Sequence, residues 1–140
     1  MTAGAPALDV DGLSASYGHL RALFDVSFSV DPGAAVALVG ANGAGKSTVA
    51  RVVTGLVPAG AGRVRIGGTD VTGRHAWEIA RRGVTHVTEG RSVFSSLTVE
   101  ENLVLTFRAT LGRAGVGAAL ERSFAAFPRL GERRGQSAGT

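Results

Sequence analysis

Eight consecutive residues constrain this chain more than any other feature. Gly40-Ala41-Asn42-Gly43-Ala44-Gly45-Lys46-Ser47 fits the spacing G-x-x-x-x-G-K-[ST] at every fixed position. The flanks suit it. Ala35-Val36-Ala37-Leu38-Val39 is apolar without alternation, as in a strand buried on both faces. Val49, Val52, Val53 and Leu56 follow at i, i+3, i+4 and i+7, one face of a helix that Gly55 and Pro58 should end. Strand, glycine loop and helix together predict an anion cradle. Glycines let successive N–H groups face one anion, and the helix N-terminus adds the positive end of its dipole. Lys46, the chain's single lysine, would reach the outer phosphates as a point charge, and the Ser47 hydroxyl would ligate Mg²⁺. The bland alternative is a glycine-rich strand–helix turn without a ligand.

The rest of the chain reads as strands first, then strand–helix units, then helices. Leu8 to Ala15 predicts a strand. Phe24, Val26, Phe28 and Val30 alternate with polar residues, which predicts a second, half-buried one. Val64 to Ile66 is a short strand closed by Gly67-Gly68. Ala76 to Arg82 reads as a short helix and Val84 to Thr88 as a short strand. Leu103, Phe107 and Leu111 fit one helical stripe. Leu120, Phe124 and Phe127 fit another, stopped by Pro128. The tail from Arg129 onward has no periodicity.

Composition excludes several classes. The 140 residues allow one domain. There is no cysteine, so a disulfide scaffold, a thiolate metal site and a cysteine nucleophile are out. No arginine or lysine precedes Arg21, and the longest apolar run, Ala34 to Val39, is far below the ~20 residues of a membrane span. A soluble, cytoplasmic chain is expected. The net charge of +4 comes almost wholly from arginines scattered between Arg21 and Arg134. Without aromatic residues interleaved among them, they do not make a nucleic-acid stripe.

The base is constrained as well. An Asn-Lys-x-Asp guanine-reading motif is impossible, because the only lysine precedes Ser47. Tyr17 would hold a purine by stacking, or is simply a strand-end tyrosine.

A resemblance emerges when these segments are taken in order. Leu13-Ser14-Ala15-Ser16-Tyr17-Gly18, Phe24-Asp25-Val26-Ser27-Phe28 and Val39 to Thr48 resemble the start of an ABC-transporter ATP-binding subunit. Glu89-Gly90-Arg91-Ser92-Val93-Phe94, with Leu97-Thr98-Val99-Glu100-Glu101-Asn102-Leu103, is similar to an ATP-binding subunit of branched-chain amino acid importers. Phe127-Pro128-Arg129-Leu130 continues the likeness. The resemblance implies an α/β P-loop NTPase fold of the ABC nucleotide-binding type, truncated. Residues 1–35 would be mainly an antiparallel β subdomain, 36–90 the first half of a RecA-like nucleotide-binding core, and 91–140 the start of a helical subdomain with a polar tail.

It also implies roles. Tyr17 would stack on adenine. Gly40, Asn42, Gly43, Ala44, Gly45, Lys46, Ser47 and Thr48 would wrap the triphosphate of ATP. Ser47 and Glu89 would hold Mg²⁺; Glu89 taken alone is an exposed loop acid. Thr88 departs from the Val-Pro-Glu-Gly-Arg usual in that branch. Glu89 to Leu97 would face transmembrane permease subunits, and a second ATP-binding subunit would complete the site. The membrane would be met only through the permease, at its inner face.

Part of the family's machinery is not found in these residues. No LSGGQ-type signature and no apolar run ending in Asp-Glu occurs, and His19, His75 and His86 all precede the place of a switch histidine. No catalytic residue is therefore expected here. The readings are an ATP-binding subunit that hydrolyses poorly alone, a nucleotide-binding module acting with a separately encoded second half, or a truncated remnant.

Overall fold

The computed structural model describes residues 4–90 and 92–139, so Arg91 of the stretch quoted above lies outside the described residues. The chain forms two compact units, Met1–His86 and Val87–Thr140.

The first unit is built on a hairpin of β1 (Leu8–Tyr17) and β2 (Leu20–Val30). β3 (Ala61–Ile66) joins the other edge of β1, and β4 (Thr69–Asp70) follows, giving the order β2-β1-β3-β4 with antiparallel neighbours. Gly67 and Gly68, at φ 53° and 77°, form the two-residue turn whose handedness matches strand twist. Two helices complete the unit, α1 (Lys46–Val53) and α2 (Ala76–Ala80). The core joins Val10, Leu13 and Leu23 of the hairpin to Val49 and Val52 of α1, with Val64 and Ile79 beside them. Each such side chain contributes about 1.5–3 kcal/mol when removed from water.

β2 follows its alternation only in part. Val26 and Phe28 pack against the core as expected. Phe24 is 64% exposed, and Leu23 is buried instead. The pairing slips between Leu13↔Val26 and Ala15↔Leu23, so Phe24 and Asp25 together oppose Ser14. Asp25 takes φ 52°, and its N–H donates to the Ser14 hydroxyl at 3.0 Å. Arg21 donates to the same oxygen at 3.0 Å and covers the outward Phe24 ring at 4.7 Å. A bulge of this kind exchanges the inward and outward sets beyond it.

Two expected strands do not form. Residues 35–39 and 84–88 belong to no strand among the described residues. Every residue from 31 to 44 is exposed, Val39 at 92%. An apolar run of this type becomes a strand when neighbours bond both its edges and cover both faces. The four strands present do neither. The helix after the loop is also shorter than its stripe. α1 ends at Val53, and Gly55 turns the chain so that Val57 enters the core while Leu56 stays out.

In the second unit the two expected stripes run on as one element, α3 (Val99–Ala126), broken at Gly112 (φ 69°, ψ 178°). α4 (Pro128–Glu132) follows. By length and its hydropathy of 1.2, α3 passes for a membrane-crossing helix, which the short apolar runs did not predict. The break and the flanking Arg108 and Arg113 do not suit such a span.

Thr98 caps α3. Its hydroxyl accepts from the Glu101 N–H at 3.1 Å, and the Glu101 carboxylate accepts from the Thr98 N–H at 2.8 Å. Bonds from the Thr98 backbone first, then its side chain, hold the Glu101 carboxyl below its ordinary range. The tail is tied rather than loose. The Val99 N–H donates to Gln136 O at 3.0 Å, the Ala138 N–H to Leu97 O at 2.9 Å, and Arg134 to both Glu100 carboxylate oxygens at 2.9 Å.

Candidate functional site

The glycine loop enters α1 directly above β2. Gly45 is the N-cap, at φ 91°. A Cβ added there would stand 2.7 Å from Leu23 Cδ2 and 2.9 Å from the Ala22 carbonyl oxygen. The bulge that buries Leu23 thus brings β2 so near the loop that only glycine fits. A glycine cap has a second effect. It offers no side chain to the first-turn N–H groups, and no acid lies in that turn to offset the dipole.

Lys46 closes the loop from inside. Its Nζ donates to Gly40 O at 2.8 Å and Ala41 O at 2.7 Å. Ala44 N–H donates to Ala41 O at 3.2 Å, and Gly43 sits at φ 84°. Asn42, Gly43 and Ala44 are exposed, as is Ser47, while Thr48 is buried against the core. An ammonium, backbone amides and hydroxyls, with no carboxylate from Gly40 to Thr48, are the donor set that a polyphosphate with a divalent cation requires. These residues fit that group.

Tyr17 ends β1 beside α1. Its hydroxyl accepts from Arg51 Nη1 at 3.4 Å and also bonds with Thr48. The Arg51 bond first, then the Thr48 bond, hold the phenol below its ordinary value. Arg51 was not singled out from the sequence. Its i+5 spacing from Lys46 carries no signal, and only the fold brings it to Tyr17. The side chain of Tyr17 remains exposed while its hydroxyl is anchored, which suits a stacking ring.

Tyr17 is the chain's only tyrosine, so ultraviolet titration reads it alone. The midpoint should lie below that of a free tyrosine, and Arg51→Gln should move it up. A folded-state value below the unfolded one means that this group adds stability above the unfolded pKa. That contribution is lost as pH falls through the folded midpoint. An unchanged midpoint in Arg51→Gln would remove the assigned cause.

Glu89 lies in the second unit at an exposed position, outside the unit that holds the loop. Among the described residues no three His, Asp or Glu side chains gather as a metal cluster. The histidines occupy local positions. His86 Nδ1 is 3.2 Å from Thr54 Oγ1, the His75 N–H donates to Glu78 at 3.0 Å, and His19 is exposed between β1 and β2.

In the second unit Phe94 is 60% exposed, and a cavity of about 360 Å³ lies among Val93, Val99, Leu103 and Leu130. Asn102 holds the turn before α3. Its carboxamide oxygen accepts from the Phe94 N–H at 2.8 Å, and its nitrogen donates to Phe94 O at 3.0 Å and Thr98 O at 2.9 Å. The spacing Thr98-x-x-Glu101 was a readable capping signal; the role of Asn102 was not.

Comparison with known proteins bears on this arrangement. Residues 23–137 match the family described as ABC transporter. The chain is 42% identical over 133 residues to the high-affinity branched-chain amino acid transport ATP-binding protein BraG of Pseudomonas aeruginosa, covering 95% of this chain and 57% of that one. It is 43% identical over 100 residues to the ribose import ATP-binding protein RbsA 1 of Rhizobium meliloti, covering 71% of this chain and 20% of that one. A solved ATP-binding subunit of an ABC transporter superposes with a TM-score of 0.79 at 34% identity, over 92% of this chain and 53% of the other. The chain thus spans little more than half the length of the first of these relatives and a fifth of the second.

Proposed function

The chain belongs to the ABC transporter family, and from that premise we propose that it binds Mg-ATP at the Gly40–Ser47 loop and serves as the energy-coupling part of an importer. One observation carries the reading. Lys46 is held inside the loop by the Gly40 and Ala41 carbonyls, at a helix start that has neither a capping side chain nor an acid. Backbone N–H groups of Gly40, Asn42, Gly43 and Gly45 would take phosphate oxygens, and the Ala44 N–H and the Lys46 ammonium would exchange their carbonyl partners for them. Ser47 would ligate Mg²⁺, with phosphate oxygens and water supplying the remaining ligands. Thr48 would support the loop from below, and Tyr17 would stack on adenine. When bound, Mg-ATP supplies the phosphoanhydride whose cleavage releases the energy for transport.

Uptake of branched-chain amino acids is the preferred cargo. The relative named for that transport is matched over 95% of this chain, the ribose importer over 71%. Permease subunits would meet the stretch of sequence from Glu89 to Leu97, where Phe94 and the neighbouring apolar cavity offer an anchor. A second ATP-binding subunit would complete the site at the inner face of the membrane.

These residues alone are expected to turn ATP over negligibly. An attacking water needs an oriented base. Of the four acids after Glu89, Glu100 is bonded to Arg134, Glu101 is held in the α3 cap and Glu132 pairs with Arg129, and none of the four, Glu121 included, closes an apolar run in Asp-Glu. Calorimetry on the folded chain with Mg-ATP tests the reading. Binding heat with little phosphate release supports it. No heat from well-folded protein overturns it, and brisk turnover would overturn the claim that further groups are needed.

A further inference from the structure

The outer side of α2 carries a cluster that the loop site does not use. Ile79 is buried in the core and fixes which side of the helix points inward. Trp77 and Glu78 lie in the helix, Arg74 comes before its cap, and Arg81 and Arg82 follow it. These five residues line one surface depression of about 330 Å³. Trp77 is 58% exposed, although an indole is among the side chains that gain most from burial. The Arg81 guanidinium lies 5.0 Å from its ring centroid. The His75 ring stacks alongside at 6.5 Å and 11°.

The patch is cationic. Its one acid is Glu78, which is engaged by the His75 N–H at 3.0 Å and by Arg74 at 3.4 Å. Arg81 and Arg82 are exposed. In the linear sequence these arginines look scattered; the short helix gathers them around the chain's one tryptophan.

We propose that this face of α2 rests on an anionic phospholipid surface, with Arg74, Arg81 and Arg82 taking lipid phosphates and Trp77 entering the headgroup layer. The planar guanidinium forks match phosphate oxygens. An indole with an apolar body and one N–H donor suits the boundary between headgroups and acyl chains. Exposure of the ring and the surplus of positive charge are then both useful, since each basic residue near an anionic leaflet adds attraction. The choice of a bilayer over another polyanion rests on the transporter-subunit reading, which sets the chain beside a membrane. A single-stranded nucleic acid would need a series of stacking rings, and this patch has one indole and one imidazole. This direct contact departs from the expectation that the membrane is met only through the permease.

Trp77 is the only tryptophan, so its fluorescence reports this face alone. The full chain is mixed with vesicles of phosphatidylcholine and phosphatidylglycerol, with vesicles of phosphatidylcholine only, with inorganic phosphate, and with a short single-stranded DNA. A blue shift, quenching by brominated acyl chains and co-sedimentation are expected with the anionic vesicles only, weakening as salt is raised. Arg81→Gln and Arg82→Gln should each lower the partition about fivefold. Both variants should keep the circular dichroism of the parent and its Mg-ATP heat. No shift with anionic vesicles, an equal shift with phosphatidylcholine or free phosphate, or preference for the DNA overturns the proposal. So does a partition that is unaltered when both arginines are replaced. Loss of vesicle binding with intact Mg-ATP heat counts against this inference alone, and the converse counts against the nucleotide reading alone.

Discussion

Lys46→Ala should weaken Mg-ATP binding about 100-fold or more while leaving the fold intact. The lost term is a charge-assisted bond to a polyanion, and 100-fold corresponds to ~3 kcal/mol. No other lysine can substitute, because the chain has none. The fold is expected to tolerate the change. The Lys46 ammonium bonds only to two carbonyls of an exposed loop. Substitutions at such positions cost within about 0.5 kcal/mol. Paired measurements of binding heat and thermal midpoint separate the two effects. A variant that binds as tightly as the parent would remove Lys46 from the site, and a collapsed midpoint would make it a structural residue.

The second large effect is expected in the sheet, between β1 and β3. Gly62 lies in β3 at φ 85°, and an added Cβ would stand 2.5 Å from the Asp11 carbonyl oxygen and nearer still to that of Gly12. Both obstacles are backbone, so neither can swing aside. Left-handed strain and overpacking each cost about 1–3 kcal/mol. Gly62→Ala should therefore destabilise the first unit by ~4 kcal/mol, which lowers the thermal midpoint by roughly 15–30 °C for a unit of this size. Denaturant titration monitored at Trp77 would follow it directly. A loss below about 1 kcal/mol would mean that β1 and β3 can part here without penalty. Gly68→Ala makes a useful contrast. It shares a left-handed φ of 77°, but its nearest neighbour is the Ala5 side chain at 3.2 Å, so strain dominates there.

The sequence was most legible where the signal was local. The glycine loop, the apolar face of α1, the Gly67-Gly68 turn and the strand character of β1 and β2 all rest on neighbours in the chain, and all are present. It was least legible where partners decide. Nothing in the alternation of Phe24, Val26 and Phe28 announces that Ser14 will admit a bulge and send Phe24 outward. Ala35 to Val39 has the composition of a buried strand, but a strand is made by its neighbours, and none of the four strands described pairs with it. The tail lacked periodicity because its order comes from bonds to the start of α3, which span more than thirty residues, as Arg134 to Glu100 does. The site divides in the same way. Lys46 and Ser47 were named by a motif, whereas Arg51, which anchors Tyr17, becomes visible only once β1 lies beside α1.

The position of Lys46 has one last consequence. The loop carries an internal rival for its own cation, since two carbonyl oxygens accept from the ammonium. A newcomer must outbid neutral acceptors at close range, and only oxygens bearing formal negative charge do so with profit. On the proposed reading, the loop itself would therefore favour highly ionised guests over weakly ionised ones, whichever base they carry.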